Sequence, residues 1–290
     1  MEMEIVQKIP IRAVWMVLGF STIASFSTRA QAADVAPATI DAWRDYIQSA
    51  EARLRGAVAA GGCFLKADEH PDLSARLQRG EVIVAPGSLS TPKKAPGGLI
   101  HDWIASAFVP GASLEDVLRT FRGYDAYKQI YKPSVLDSRE LGGEDGGEKF
   151  SLIFRNRAIM SHTALETDYH ANYTQLDEKR WYSVAYTTRI QEIENYGESN
   201  EHKLNVGEGT GYVWRMETIA KFEERDGGVY VDVEAIALSR NIPSSLRWVV
   251  DPMIRRISKR SLTAYLTSTR DAVMTRTELT AIRSSSAQSR

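Results

Sequence analysis

The sequence predicts an α+β domain in which a long amphipathic helix packs on an antiparallel sheet. Between residues 98 and 239, apolar residues alternate as in β-strands, and short Gly- and Asp-rich turns separate the segments. Residues 241–273 then carry apolar residues at helical spacing, with cations opposite them. A single amphipathic helix that follows a strand-rich chain has few places to bury its apolar stripe other than that sheet.

Residues 1–32 have the features of a secretory signal peptide. Lys8 and Arg12 precede an apolar run at 13–26, and the small-residue sequence A-Q-A follows at 30–32. The run is shorter than the roughly 20 residues that a membrane-spanning helix needs, so a cleaved signal is favoured over a retained anchor. We therefore expect an exported protein, periplasmic or secreted.

The composition argues against several classes of function. The chain has 36 Lys and Arg against 37 Asp and Glu, a formal net charge of -1, which is not typical of a nucleic-acid binder. Cys63 is the only cysteine, so an intrachain disulfide cannot form. No phosphate-binding glycine loop and no G-x-S-x-G nucleophile elbow is present. The sequence therefore predicts no cofactor and no catalytic residue.

After the signal, residues 33–97 predict an N-terminal helical extension. The spacing of apolar residues in 39–60 predicts a helix with a modest apolar face, which ends at the glycine pair 61–62. Residues 66–97 are polar, with Pro and Gly in their second half, and 81–85 is the single candidate strand there. We expect this extension to pack on the main domain.

The main domain begins with a strand at 98–109, and two helices follow it. Ser113 and Asp116 have capping-box spacing ahead of the first helix. The second helix, at 125–131, must end before Pro133. Six more strands are predicted at 134–141, 149–159, 162–172, 181–193, 211–223 and 228–239.

The helix at 241–273 completes this domain, which we place at 98–275. Asp251 and Pro252 predict a restart of the helix, because Asp can cap a helix and Pro fits its first position. Residues 276–290 form the predicted C-terminal tail, of which 283–290 is expected to fray. The apolar stripe of the helix consists of Leu246, Val249, Val250, Met253, Ile254, Ile257, Leu262, Tyr265 and Leu266.

This order of elements resembles the helix-grip fold of the START-like superfamily, also called SRPBCC or birch-pollen-allergen-like. Several stretches look like a group of exported bacterial proteins of that superfamily. They are GLIHDW at 98–103, FVPG at 108–111, GYDAY at 123–127, GYVWR at 211–215, FEERDGGVYV at 222–231 and LSRNIP at 238–243.

The resemblance implies a curved antiparallel sheet of about seven strands wrapped on the long C-terminal helix, with a cavity between the two. In relatives that cavity holds lipids, sterols, polyketides or other apolar molecules, and a minority of relatives are cyclases or hydrolases. None of the matching stretches carries chemistry on its own.

In the strand at 211–223, one alternating set of side chains is the more apolar and is the natural wall of a hydrophobic cavity. The alternative is that this set simply fills the core. The opposite set includes Arg215 and Glu217, which predict an exposed ion pair rather than a polar anchor in the pocket. The cavity candidates on this strand are Tyr212, Trp214, Met216, Thr218 and Phe222.

Three further candidates lie on other strands. In the strand at 181–193, alternation places Tyr186 on one face and Arg189 on the other. An Arg on a strand can hold a carboxylate or phosphate head group through two parallel hydrogen bonds, and Arg155 invites the same hypothesis. For both arginines, solvent exposure or a structural ion pair is the favoured alternative.

Glu166, Asp168 and His170 alternate in one strand and therefore share a face. They could form a metal or acid–base cluster, since such sites need convergent oxygen and nitrogen ligands. A solvated sheet face without function is the favoured interpretation, so no metal site is predicted.

Four cations of the last helix, at i, i+1, i+4 and i+5, lie on one of its sides. Such a stripe could rest on anionic lipid, but an ordinary solvated helix face is the favoured interpretation. The four residues are Arg255, Arg256, Lys259 and Arg260.

The sequence leads to three functional hypotheses. The first is an exported, soluble, non-catalytic protein that binds an apolar or amphipathic, lipid-like small molecule in a sheet–helix cavity, with at most weak contact to a membrane surface. The second is a cyclase, dehydratase or hydrolase of the same fold, which would need two titratable groups converging in the cavity. The third is a structural or interaction protein of the envelope whose core is filled by side chains.

Overall fold

The computed structural model is an α+β fold in which a curved antiparallel sheet carries helices on both faces. It describes residues 35–59, 62–88, 91–143, 146–155, 163–209, 213–241 and 247–288. The α-helices of this part are α1 Pro37–Val58, α2 Pro71–Gln78, α3 Leu114–Arg122, α4 Tyr127–Ile130 and α5 Arg247–Gln288. Its strands are β1 Ile83–Pro86, β2 Lys93–Ala95, β3 Gly98–Pro110, β4 Val135–Gly142, β5 Glu148–Arg155, β6 Ala164–Gln175, β7 Arg180–Glu194, β8 His202–Lys203, β9 Arg215–Arg225 and β10 Gly228–Arg240.

The strands follow the order β1-β3-β10-β9-β7-β6-β5-β4, with β2 also paired to β3 and β8 to β7. The long strands β3 and β10 pair along their whole length, from Gly98 opposite Arg240 to Pro110 opposite Gly228. This pairing brings the first and the last of the long strands side by side.

The predicted fold class is confirmed, and all seven predicted strands are present as β3 to β7, β9 and β10. The predicted capping box is also present, because the Ser113 hydroxyl accepts a hydrogen bond from the Asp116 backbone N–H at 3.2 Å. The short elements α2, β2 and β8 were not predicted, and β2 pairs with β3 across the expected boundary at residue 98.

The two faces of the sheet pack on different helices because side chains alternate along each strand. On the inner face, Val109 of β3 and Phe222 of β9 lie in one buried cluster with Leu266 of α5. On the outer face, Ile219 and Ile236 pack against Ala50, Leu54 and neighbouring side chains of α1. The extension therefore covers the face of the sheet that α5 leaves open.

Helix α5 has 42 residues and is about 63 Å long at 1.5 Å per residue. It runs through Pro252 without ending, so the predicted restart there is not observed. It also continues to Gln288, through most of the segment expected to fray, since no Gly or Pro interrupts residues 253–288. Within the described part of the chain, no helix is long and apolar enough to cross a membrane.

Candidate functional site: a cationic groove between sheet and helix

A groove of about 840 Å³ lies between α5 and the edge of the sheet. Its sheet wall comes from Pro86 of β1 and Trp103 of β3, which lie directly opposite each other in the antiparallel pair. A proline is tolerated here because β1 is an edge strand. The helix wall consists of Arg255, Arg256, Lys259, Arg260, Thr263, Ala264, Thr267 and Ser268.

Trp103 forms the apolar floor of this groove. It shares the inner face of β3 with Ala105 and is only 4% exposed, so its indole is held by the surrounding core. The Lys259 ammonium lies 5.7 Å from the centre of the Trp103 ring, within the range of a cation–π contact. The floor of the groove is therefore aromatic, and a positive charge lies directly beside it.

The four cations of α5 are fixed on this side of the helix by the packing of its other faces. Leu266 and Val273 are buried against the sheet and α3, and the Thr269 hydroxyl lies 3.0 Å from the Tyr131 hydroxyl, which together set the rotation of the helix about its axis. The cations then fall on the adjoining flank, where they face the groove and remain exposed. Among the described side chains, no carboxylate lies within ion-pair distance of any of them.

The deeper hollow between β4–β7 and α5 is occupied by aromatic side chains. Tyr124, Phe150 and Tyr169 form a continuous stack, with ring centres 4.0 Å and 4.8 Å apart. Tyr131 stacks on Tyr265 of α5 at 4.7 Å. This part of the predicted cavity is filled by the protein itself.

The buried phenols stay protonated at neutral pH. Burial raises the pKa of Tyr131 to about 12, and its hydroxyl lies 3.0 Å from the Thr269 hydroxyl. Burial likewise raises the pKa of Tyr173, whose hydroxyl donates to the backbone carbonyl of Phe121 at 3.2 Å. The hydroxyl groups thus act as hydrogen-bond donors inside the aromatic cluster.

The described cavity candidates of the predicted strand at 211–223 do not line the groove. Met216 packs beside the tyrosine cluster, and Phe222, 0% exposed, contacts Phe121 edge-on at 4.7 Å. Thr218 lies opposite Ala235 of β10. Trp214 instead packs with the outer cluster that contacts α1, and Tyr212 falls outside the described residues. Their role in binding stays a prediction.

Arg189 lies on a different face from the one that simple alternation predicts. The β6–β7 pairing shifts register between Asp168 and Tyr169, so that Arg189 lies opposite Asp168 on the face of Tyr186. Arg189 donates from Nε to one Asp168 oxygen at 2.6 Å and from Nη2 to the other at 3.0 Å. Its guanidinium also lies 3.2 Å from Glu166.

These contacts match the structural ion pair that was the favoured alternative for Arg189. Burial alone would raise the pKa of Asp168, but the hydrogen bonds from Arg189 bring it below its ordinary value. Lys203 also contacts Glu166, so the acidic face is neutralised by the protein's own cations. No group of three potential metal ligands is found among the described residues.

Of the other two predicted site residues on these strands, Tyr186 is 41% exposed, and Arg155 is exposed at the end of β5.

A second charged cluster lies between the outer face of the sheet and α1. Asp102 of β3 is 0% exposed and accepts a hydrogen bond from the Tyr46 hydroxyl at 2.6 Å. Arg53 of α1 lies 2.5 Å from Glu234 of β10 and 3.3 Å from Asp102. Burial and the neighbouring charge of Glu234 raise the pKa of Asp102 to about 6.

Glu217 of β9 belongs to the same cluster and is not the exposed partner of Arg215 that the sequence predicted. It is 7% exposed, whereas Arg215 remains exposed. Burial and the charges of Glu51 and Glu234 raise the pKa of Glu217 to about 7. The prediction was wrong because α1, which is far away in the sequence, covers this position.

No protein-family model matches this sequence, and no curated protein matches it either. Solved structures with a similar arrangement include the STAR-related lipid transfer protein of Xanthomonas axonopodis, 17% identical over 67% of this chain and 98% of that chain, with a TM-score of 0.42. The Zhui aromatase/cyclase of Streptomyces sp. R1128 is 12% identical over 61% of this chain and 96% of that chain, with a TM-score of 0.43. Human STARD10 is 7% identical over 77% of this chain and 86% of that chain, with a TM-score of 0.42.

The helix-grip assignment rests on the topology of the chain itself, in which a strand, two short helices and a curved meander lead to one long helix across the inner face.

Proposed function

We propose that this protein is exported and binds a small amphipathic molecule in the groove between α5 and the β1–β3 edge. The observation that carries the proposal is the aromatic floor made by Trp103 in a groove of about 840 Å³. That volume falls within the usual range of small-molecule sites, which are largely apolar with a few polar groups for orientation.

Binding would be driven by burial of the apolar part of the ligand against Trp103, Pro86 and Ala264. Each square ångström of apolar surface removed from water contributes roughly 25 cal/mol. Because Trp103 is already held by the core, little side-chain freedom is lost when a ligand covers it.

A binding role is favoured over catalysis by the chemistry of the groove. Its described lining residues include cations, hydroxyl groups and apolar side chains, but no carboxylate, imidazole or thiol. General acid–base catalysis needs a group that can give or take a proton near neutral pH. This groove therefore supports binding without a reaction.

The aromatic filling of the deeper hollow favours a second candidate, a structural protein of the cell envelope that holds no ligand. The stacks of Tyr124, Phe150 and Tyr169 leave that part of the domain packed as a core. The two candidates differ in whether the groove beside Trp103 binds an amphiphile saturably.

Tryptophan quenching by brominated amphiphiles tests the proposal, because a bromine atom quenches only indoles that it approaches closely. We expect saturable quenching by 12-bromododecanoate or 12-bromododecan-1-ol in the wild type, and loss of most of it in Trp103→Phe. Trp181→Phe, which alters a half-buried indole away from this groove, is the matched control and should keep the saturable signal.

Circular dichroism establishes that each variant is folded. If neither probe quenches saturably, the amphiphile-binding proposal is wrong and the structural candidate remains. Quenching that is unchanged in Trp103→Phe would place the ligand elsewhere and refute the proposed site.

A further inference from the structure

We propose that the ligand of the groove is a single-chain amphiphile with an anionic head group, a carboxylate or a phosphate monoester. This inference rests on the proposed function and narrows its ligand class. The observation behind it is that four cations of α5 line one half of the groove. Among the described side chains, no carboxylate forms an ion pair with any of the four.

The groove has two chemically different halves along α5. The cationic half extends from Arg255 to Arg260, and the neutral half is lined by the small side chains of Thr263, Ala264, Thr267 and Ser268. From Arg255 to Ser268 the helix advances about 20 Å at 1.5 Å per residue, which is long enough for an extended medium-chain acyl group. An amphiphile would place its charged head group in the cationic half and its acyl chain along the neutral half.

Other arginines of the described chain are held by carboxylates of the protein. Arg53 is held by Glu234 and Asp102, and Arg189 by Asp168 and Glu166. A guanidinium without a protein carboxylate can form two parallel hydrogen bonds to an anionic head group. Lys259, beside the Trp103 ring, places positive charge where the head and tail of the ligand would meet.

The surface favours a free amphiphile over a lipid bilayer as the occupant. Proteins that rest on bilayers insert large apolar side chains beside their basic residues. The exposed large apolar side chains of the described chain are Leu141, Tyr186, Val206 and Leu279, and none of them lines the groove. The aromatic residue that does line it, Trp103, is recessed at 4% exposure.

The experiment compares two probes that differ only in the head group, 12-bromododecanoate and 12-bromododecan-1-ol, at about pH 7.5. We expect the carboxylate to bind about tenfold more tightly, because hydrogen bonds to charged groups are stronger than those between neutral groups. This preference should shrink in about 1 M NaCl, where the Debye length is about 3 Å.

Charge variants locate the source of the preference. The double variant Arg256→Gln with Arg260→Gln should lose most of the preference for the carboxylate probe. The matched control, Lys94→Gln with Lys132→Gln, removes the same charge from exposed positions outside the groove and should keep the preference of the wild type.

The outcomes separate this inference from the proposed function. If both probes bind the wild type equally, or the alcohol binds more tightly, the anionic-head inference is overturned while amphiphile binding stands. If neither binds, both are overturned. Sedimentation of the protein with phosphatidylglycerol vesicles, without any preference for the free carboxylate, would assign the cations to a bilayer surface and also overturn the inference.

Discussion

Glu217 offers the sharpest test of how α1 is held on the sheet. This carboxylate is buried under α1, and its Oε1 atom has no hydrogen-bond partner among the described residues. Burial and the nearby charges of Glu51 and Glu234 disfavour its ionised form. Glu217→Gln keeps the size of the side chain and removes its ability to ionise.

The magnitude follows from the raised pKa. The folded protein holds the Glu217 proton up to about pH 7, whereas an ordinary glutamate loses it near 4.5. Below pH 4.5, Glu217 is protonated in both the folded and the unfolded protein, and its contribution to the free energy of unfolding is fully present. As the pH rises through the pKa of the folded protein, the folded protein must ionise a buried group, and this contribution is lost. At 1.36 kcal/mol per pKa unit the full loss is about 3 kcal/mol.

We therefore expect Glu217→Gln to gain about 1–3 kcal/mol of unfolding free energy over the wild type at about pH 8 and little or nothing at about pH 4.5. Urea unfolding followed by tryptophan fluorescence at several pH values measures this difference. The diagnostic result is the pH dependence of the difference in unfolding free energy between variant and wild type, because altered packing or hydrogen bonding contributes equally at every pH. Glu178→Gln, at an exposed turn, is the control and should show no such dependence. A difference that is constant with pH, or a variant that is less stable at high pH only, would refute the reasoning.

Two further predictions concern the core and the first helix of the main domain. Phe222→Ala should lower the free energy of unfolding by about 3–5 kcal/mol, because Phe222 is fully buried against Phe121; a loss below about 1 kcal/mol in urea titrations would contradict this packing. Ser113→Ala should cost about 1 kcal/mol through loss of the cap on α3, and Ser113→Asp should restore most of it. Equal stability of the wild type and Ser113→Ala would show that this cap is not used.

Local patterns were sufficient for most of the sheet. The seven long strands have eight or more residues each and are separated by turn sequences or short helices, so their existence could be predicted from consecutive residues. The Ser113 capping box is likewise a signal contained within four residues. Elements such as β2 and β8 have three and two residues, too few for any period, and exist only because β3 and β7 offer them hydrogen bonds.

The orientation of individual side chains required knowledge of the pairing. A register shift opposite Asp168 turns Arg189 to the face that alternation assigned to Tyr186. Alternation counts residues along one strand, whereas a bulge arises from the match between two strands. For the same reason the sequence could not show that α1 buries Glu217.

The sequence by itself determined that this chain makes an antiparallel sheet with a long amphipathic helix, because hydrophobic periodicity is contained in consecutive residues. Only the tertiary structure decided where open space remains beside that helix. Tyr124, Phe150 and Tyr169 fill the deeper hollow, and the packing of Leu266 against the sheet turns Arg256 toward Trp103. Void space depends on which distant side chains meet, and no local pattern in the chain contains that information.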